Sequence, residues 1–570
     1  MEGKLREERY IKGTQSTVTQ ECSLSVRISN IVKMEFKKSF KTWRKAIGWS
    51  LLINLSIVVV TYGILLINSL FGQKQFNHNF ETPLTPGSKD IIIPASWKIY
   101  LSNGALGGQI TGLFISGHTS ERFGYRKATI GAQVFLITAI FIPFFAPNIQ
   151  TFLAGQIVCG IPWGMLQALA PSFSSDITPS VLRPHVLNWS NFSFVSGQFI
   201  GSIALQGFVQ RSDEWAYRKS VSDVSKSGTL TCDPLGIPIS LQWILPCLIL
   251  IVMLYIPESP WWLVRQGRID DAKTNILRLT TSTDDDRFDV DAYIRMVIET
   301  NTYEMNISVG TSYLDCFKRV DRRRTEISIM SYLVLILCGF SFTGFSTLFF
   351  IQAGLPQQKA FDLSTIQYAL GMIGAICSLP LIGHVGRRTT YLLGVCFLFL
   401  LLLIMGLTSV ITDLKAAGPR WAIASMMLPY TFSYNLSLGP VAYILVAEMP
   451  STRLKAKTIV IATILYNIGS IVVNILTTYQ LTEKPSGWGW STKSALFWAG
   501  TCLSCAWWVY YRLPEAKGRE PHEIDQLFES RTPARKFKNG QVCALQHTPT
   551  ESTSSSTSIG RIEETVKSAC

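Results

Sequence analysis

Charge is scarce in this chain, and inside its long apolar runs it is missing altogether. Only 16% of the 570 residues are Asp, Glu, Lys or Arg, against roughly 25% in soluble domains. That shortage, with 48% hydrophobic residues, excludes an ordinary soluble enzyme. No nucleophile–base pair and no cluster of metal ligands stands out, so no catalytic residue, metal or cofactor is expected. The 12 cysteines form no framework. Cys159, Cys247, Cys338, Cys377, Cys396, Cys502 and Cys505 fall in apolar runs. Cys502 and Cys505 make a C-x-x-C, but without a second pair or a nearby His they read as small buried apolar residues. Cys570 lacks the three following residues that prenylation requires. No cleavable leader is expected, because the first apolar run starts near residue 47, behind a polar tail.

What is present is a series of apolar runs of the length a bilayer core requires, roughly 20 residues each. Twelve are read, near 47–71, 99–116, 128–146, 149–171, 187–210, 239–256, 328–351, 364–383, 389–411, 421–446, 459–479 and 494–511. The formal net charge of +14 is distributed along them in a telling way. Lys33, Lys37, Lys38, Lys41, Arg44 and Lys45 precede the first run, and Arg122, Arg126 and Lys127 follow the second. Arg183 follows the fourth, Arg322, Arg323 and Arg324 precede the seventh, and Arg387 and Arg388 follow the eighth. Arg453, Lys455 and Lys457 follow the tenth, and Lys517 and Arg519 the twelfth. These are alternate connections on one side of a membrane, which the positive-inside rule makes cytoplasmic, with both termini there. The basic excess is thus a topology signal, and no nucleic-acid partner is expected.

The expected fold is an all-α membrane protein of twelve transmembrane helices in two six-helix bundles. The division is a tail over 1–46, a first bundle over 47–256, a cytoplasmic stretch over 257–326, a second bundle over 327–512 and a largely disordered tail over 513–570. That last tail holds Ser552, Ser554, Ser555 and Ser556. Within the middle stretch, Ile269 to Leu279 and Asp289 to Thr300 are amphipathic at helical period. The two halves share a loop. After the second run stands Gly117-His118-Thr119-Ser120-Glu121-Arg122-Phe123-Gly124-Tyr125-Arg126-Lys127, and after the eighth the shorter Gly383-His384-Val385-Gly386-Arg387-Arg388. Duplicated halves around a midplane site are a mark of alternating-access carriers. Glu121, Arg122 and Arg126 are therefore read as gate residues, a plain basic loop being the other reading.

A more specific string, Pro257-Glu258-Ser259-Pro260-Trp261-Trp262-Leu263-Val264-Arg265-Gln266-Gly267-Arg268, follows the sixth run. With it go Asp176, Pro179 and Arg183 after the fourth, Tyr443, Glu448 and Arg453 about the tenth, and Pro514-Glu515-Ala516-Lys517-Gly518-Arg519 after the twelfth. Gly48-Trp49-Ser50, Asp213-Glu214-Trp215-Ala216-Tyr217-Arg218 and Tyr466-Asn467-Ile468 add to the set. From about 45 to 520 the chain resembles the sugar porters of the major facilitator superfamily, and within them the fungal maltose and general α-glucoside permeases. The resemblance implies the major facilitator fold. It also implies that Glu121, Arg122, Arg126, Asp176, Arg183, Glu258, Arg387, Arg388, Glu448, Arg453 and Glu515 form a conformational latch, with Glu258, Glu448 and Glu515 pairing with Arg122, Arg183, Arg387 or Arg453 across the bundle. Contacts that merely hold the bundle together are the alternative.

The chain departs from these relatives inside the membrane. Proton-coupled α-glucoside permeases have E-G-Y-D in the first span, where this chain has Val60-Thr61-Tyr62-Gly63. Their G-E-I in the second span is Gly108-Gln109-Ile110 here. Thr463 stands near their Arg in the eleventh, and Leu335 where the seventh has Gln. A buried charge costs about 2.5–3.5 kcal/mol on insertion scales, so acids and their basic partner are expected to vanish together when coupling goes. Gln109 keeps the hydrogen bonding of Glu without its proton. Sugar binding calls for planar hydrogen bonders and flat rings near the midplane. Gln198 matches a family position that contacts sugar, and Gln109, Tyr62, Tyr434, Asn435, Tyr466 and Asn467 are further candidates. Interhelical hydrogen bonding is the competing role for each.

The expected function is a monomeric plasma-membrane carrier for an α-glucoside or related polyhydroxylated solute, without the usual proton coupling. A vacuolar or other internal membrane is the second location. A non-transporting sugar sensor and a transporter of a fungal secondary metabolite are the alternatives. A polar insert of about twenty residues near 219–236, holding Ser220, Ser222, Ser225 and Ser227, has no counterpart in the relatives. It is either an external loop or a translated intron.

Overall fold

The computed structural model describes residues 36–72, 93–179, 181–207, 237–281, 289–308, 312–411, 417–482, 484, 487–517 and 521–539. The insert near 219–236, the Asp213–Arg218 string, Gly518 and Arg519, and residues 1–35 and 540–570 lie outside them.

The described residues are helical and contain no strand. Each expected span coincides with a helix or with consecutive helical segments. These are α1 (Arg44–Leu70), α2 (Ala95–Phe123), α3 (Tyr125–Ala139), α4 (Ile149–Ile177), α5 (Arg183–Gln206) and α6 (Ile237–Tyr255). In the second half they are α7 (Arg319–Leu335), α8 (Gln357–His384), α9 (Arg387–Ile411), α10 (Ala417–Ser433), α11 (Lys455–Leu481) and α12 (Ser494–Arg512). By length and apolarity alone, α1, α4, α8, α9, α11 and the stretch Tyr125–Phe144 could each cross a membrane.

Side chains decide how closely these helices pack. A Cβ on Gly108 would stand 2.2 Å from the Ile157 carbonyl oxygen of α4, and one on Gly112 2.0 Å from that of Ile161. In return, a Cβ on Gly160 or Gly164 would stand 2.2 Å from Ala105 O or 2.1 Å from Gln109 O. Four glycines therefore let α2 and α4 touch backbone to backbone, the close approach that small residues give helices in lipid. The α2 helix begins at Ala95 and so takes in Lys98, which is buried. The charge-free interior read over 99–116 stops just short of it.

The α7 helix breaks at Gly339, whose φ is +90° within a π-turn over Ile336–Phe340. A break at membrane depth frees backbone carbonyls that lipid cannot satisfy. Here side chains meet that need. Tyr434 Oη donates to Leu335 O (3.4 Å), Thr501 Oγ1 to Leu337 O (2.7 Å) and Tyr430 Oη to Cys338 O (2.7 Å).

The two halves face each other chiefly through α5 against α8 and α2 against α11. Asn188 Nδ2 donates to Ser378 Oγ at 3.0 Å near the end bearing the charged strings. At the opposite end Gln206 Nε2 donates to Asp362 Oδ1 (2.8 Å) and Gln357 Nε2 to Gly72 O (3.1 Å).

Between the halves in sequence lie helices Pro260–Arg265, Ile269–Leu279 and Val290–Ser308. Ile269–Leu279 buries Ala272, Ile276 and Leu279, with Asp270 and Asp271 in its first turn and Arg278 in its last. The stretch from 513, read as largely disordered, holds a helix Pro521–Glu529 whose Ile524, Leu527 and Phe528 are buried. Arg324 binds Asp525 there and stacks 4.8 Å over the Phe528 ring.

Candidate functional site

A cavity of about 90 Å³ lies between the halves. Its walls come from α1 (Ile64, Leu65, Asn68), α2 (Leu106, Gln109), α4 (Gln167), α5 (Phe194, Gln198) and α11 (Tyr466, Asn467, Ser470, Asn474). The segment broken at Gly339 adds Ile336, Phe340, Gly344 and Phe345. The lining holds no carboxylate, amine, guanidinium or imidazole. It is a ring of amides between aromatic faces.

The amides are poised and partly idle. Gln109 Nε2, Gln167 Oε1, and both Nδ2 and Oδ1 of Asn467 are buried without a hydrogen-bond partner. Buried polar atoms in that state cost about 1–3 kcal/mol each, a cost that a hydroxyl-bearing ligand would remove. Of the seven residues the sequence nominated, Gln198, Gln109, Tyr466 and Asn467 line the cavity. Tyr62, Tyr434 and Asn435 do not. The Tyr62 ring packs beside Gly201 of α5. Tyr434 supports the α7 break and stacks on Phe340 at 4.8 Å. Asn435 Nδ2 donates to Thr431 O at 2.9 Å within its own helix. Gln167, Asn68 and Asn474 were missed, since one amide in an apolar run gives no sign of the face it occupies.

Two of the three positions where the resemblance implies acids, 60 and 63, are buried outside the cavity lining. Val60 is buried, and a Cβ on Gly63 would stand 2.2 Å from Trp163 Cζ2. The indole fills the space a side chain at 63 would need. Thr463 Oγ1 is turned back onto Ile459 O at 2.8 Å.

The latch residues form two clusters of the same design. In the first half, Glu258 accepts from the Arg126 backbone N–H at 3.1 and 3.2 Å and from that of Ser259 at 3.0 Å. Arg126 Nε reaches Met253 O (3.3 Å), and its Nη2 reaches Leu254 O. In the second half, Glu515 accepts from the backbone N–H groups of Arg387 (2.9 Å) and Arg388 (3.2 Å), while Arg388 Nη2 reaches Tyr510 O at 2.8 Å. Each carboxylate thus caps the helix after the shared loop, α3 or α9, at its positive end. The glycine before each cap leaves room for it. A Cβ on Gly124 would lie 2.5 Å from Glu258 Oε2, and one on Gly386 2.2 Å from Glu515 Oε2. Burial pushes the Glu258 carboxyl up, and the N–H groups of Ser259, Arg126 and Tyr125 pull it back.

Of the pairs expected across the bundle, Glu448 with Arg387 forms, while Glu258 and Glu515 take helix-end N–H groups instead. Asp176 meets Arg265 at 3.4 Å and Ser259 Oγ at 3.2 Å. Arg387 meets Glu448, and Arg453 meets Asp321, both at 3.3 Å. Arg183 Nε donates to Ser175 O at 3.2 Å. Glu121 and Arg122 are exposed, and Glu121 contributes only its carbonyl, to Trp262 Nε1 (3.0 Å) and Gln266 Nε2 (3.3 Å). The physical reason is economy of desolvation: a capped helix end satisfies several N–H groups that a lone arginine would leave open. Glu515→Ala is expected to lower stability by about 2 kcal/mol, and Glu515→Gln by less. A thermal-shift measurement in detergent checks this, and an alanine variant melting with the wild type would refute the cap.

The sequence profile of the family described as "Sugar (and other) transporter" matches residues 49–528. Maltose permease MAL61 of Saccharomyces cerevisiae is 32% identical over 513 residues, covering 89% of this chain and 80% of the permease. The general alpha-glucoside permease of the same yeast is 34% identical over 511 residues, covering 89% and 79%. Among solved structures, the proton:xylose symporter XylE bound to 6-bromo-6-deoxy-D-glucose superposes with a TM-score of 0.67 at 19% identity, covering 85% of this chain and 99% of that one. A partially occluded, inward-open form of the Escherichia coli xylose transporter XylE gives 0.65 at 16%, covering 84% and 100%. At such identities the structural likeness speaks for the fold.

Proposed function

The chain belongs to the sugar (and other) transporter family, a multi-pass membrane carrier of major facilitator fold rather than an enzyme, and from that membership we propose that it moves an α-glucoside across the plasma membrane by alternating access without proton coupling. One observation carries the reading: the cavity between the halves is lined by amides and aromatic rings and by no carboxylate, amine, guanidinium or imidazole. Amides with unused donors and acceptors suit a neutral ligand dense in hydroxyls, and flat rings suit its apolar faces. The maltose and alpha-glucoside permeases among the relatives favour an α-linked glucoside as that ligand.

The cavity, at about 90 Å³, is far below the roughly 300 Å³ of small-molecule sites. The halves must part for a sugar to enter. Hydrogen bonds between them stand at both ends, Asn188–Ser378 at one and Gln206–Asp362 at the other. This fits a contracted intermediate from which either end opens. Absence of coupling rests on Gln109 and on Gly63, whose space Trp163 fills. Without a carboxylate at the cavity no proton need travel with the sugar.

The test is uptake of labelled maltose, trehalose, sucrose and glucose by a yeast lacking its own sugar carriers. At least one α-glucoside should enter. Its initial rate should change less than about twofold between about pH 5 and about pH 7, because no carboxylate titrates at the site. An unbuffered suspension should not turn alkaline on sugar addition. Alkalinisation that depends on substrate and on this chain would sink the uncoupled mechanism. Normal membrane targeting with no α-glucoside uptake would sink the substrate.

A further inference from the structure

Along α1 and the end of α6, on the side bearing the charged strings, a groove of about 810 Å³ opens to the surroundings. Lys45 and Arg278 stand at its rim, and Gly48, Trp49, Leu52 and Tyr255 are among its apolar walls. The backbone holds the two cations near each other. The N–H of Thr281 donates to Thr42 O at 2.8 Å, stapling the end of Ile269–Leu279 to the approach of α1. Neither Lys45 nor Arg278 has an ionic partner among the described residues, and no carboxylate lines the groove. Tyr255 is 75% exposed among the described residues, a large aromatic surface, and Lys41 and Arg44 are exposed close by.

The depth of the groove narrows what can fill it. Lys45 lies in the first turn of α1, and Tyr255 is the last residue of α6. The cations thus sit where headgroups meet hydrocarbon, and the apolar walls run into the hydrocarbon. A free anion would use the rim and leave the walls bare. An apolar ligand would use the walls and leave two cations unmatched.

We propose that this groove is a binding site for one anionic glycerophospholipid of the leaflet on the charged-string side, cytoplasmic by the positive-inside rule, with its phosphate between Lys45 and Arg278 and an acyl chain along Trp49 and Leu52. The lipid ties α1, α6 and the helix Ile269–Leu279 together at one headgroup. Lys41 and Arg44 bias the site towards a net negative headgroup over a zwitterionic one.

The full-length chain in lipid-free detergent, titrated with palmitoyl-oleoyl phosphatidylserine or phosphatidylcholine and read by native mass spectrometry, tests the site. The wild type should hold one phosphatidylserine about tenfold more tightly than phosphatidylcholine. Lys45→Ala with Arg278→Ala should remove that preference, while the protein melts as the wild type does before lipid is added. Gly48→Trp supplies an independent arm. A Cβ there meets nothing within 4 Å, so the indole should fill the groove without disturbing the fold and exclude both lipids. Unchanged phosphatidylserine binding by the double variant or by Gly48→Trp would overturn the proposal. Displacement of the lipid by equimolar inorganic phosphate would show a free-anion site instead. Binding seen only after deletion of residues 1–35 would show that the chain covers the groove itself, which also overturns it.

Discussion

Gly112→Val is expected to leave no folded carrier. Its Cβ would stand 2.0 Å from the Ile161 carbonyl oxygen, 2.9 Å from the carbonyl carbon and 3.1 Å from the Met165 nitrogen. All three are backbone atoms of α4, so no side chain can swing aside. Relief requires α2 and α4 to separate along their length, and the reciprocal contacts of Gly108, Gly160 and Gly164 would open with them. Overpacking of this kind, with no rotamer to absorb it, belongs to the destabilisations above about 4 kcal/mol. The expected result is loss of the monodisperse peak on size exclusion and of surface delivery in yeast. Gly131→Val is the matched control, since a Cβ there meets nothing within 4 Å, and it should behave as wild type. Wild-type yield and melting from Gly112→Val would refute the backbone contact.

The consequence reaches the site. Gln109 lies between Gly108 and Gly112 on α2, and Gly164 and Gln167 lie one turn apart on α4. The interlock that draws the helices together also sets the spacing of two cavity amides. Fold and site share the same residues here, which is why a glycine that touches no substrate can govern transport.

Hydrophobic run length made the helices legible, because a bilayer demands that length wherever a chain crosses it. The duplicated loops made the pairing of halves legible, and Gly124 and Gly386 do occupy equivalent places before a capped helix. The Glu448–Arg387 pair was among those read from the strings, but the partners of Glu258 and Glu515 were not legible. Glu258 and Glu515 sit in strings rich in arginine, and spacing along a loop cannot tell a guanidinium from a helix end that only the fold brings near. Gln167 was hidden because one amide in an apolar run gives no sign of the face it occupies, and so was Asn188, which joins the two halves. The helix Pro521–Glu529 could have been found. Ile524, Leu527 and Phe528 recur at helical spacing within a polar tail, and composition hid the pattern.

Removing two cavity amides should nearly silence transport while sparing the fold. Gln198→Leu and Asn467→Leu keep volume in place and delete hydrogen bonding from opposite walls, α5 and α11. Both Asn467 side-chain atoms are unpartnered, so the leucine removes a desolvation cost in the empty carrier, and the fold should be no weaker. A sugar loses far more. Its hydroxyls, stripped of water on entry, would find no partner, and each lost hydrogen bond to a neutral group costs about 1–1.5 kcal/mol, or about tenfold in rate. Each single variant should therefore lower Vmax/KM for the transported α-glucoside about tenfold, and the pair about a hundredfold if the walls act independently. Asn435→Leu separates recognition from packing. Asn435 donates to Thr431 O and does not line the cavity, so its loss should act on melting and surface abundance, with KM unchanged. Uptake normalised to surface carrier, with a melting curve for each variant, reads the difference. A double leucine variant that carries the sugar at the wild-type rate would place recognition elsewhere in the molecule.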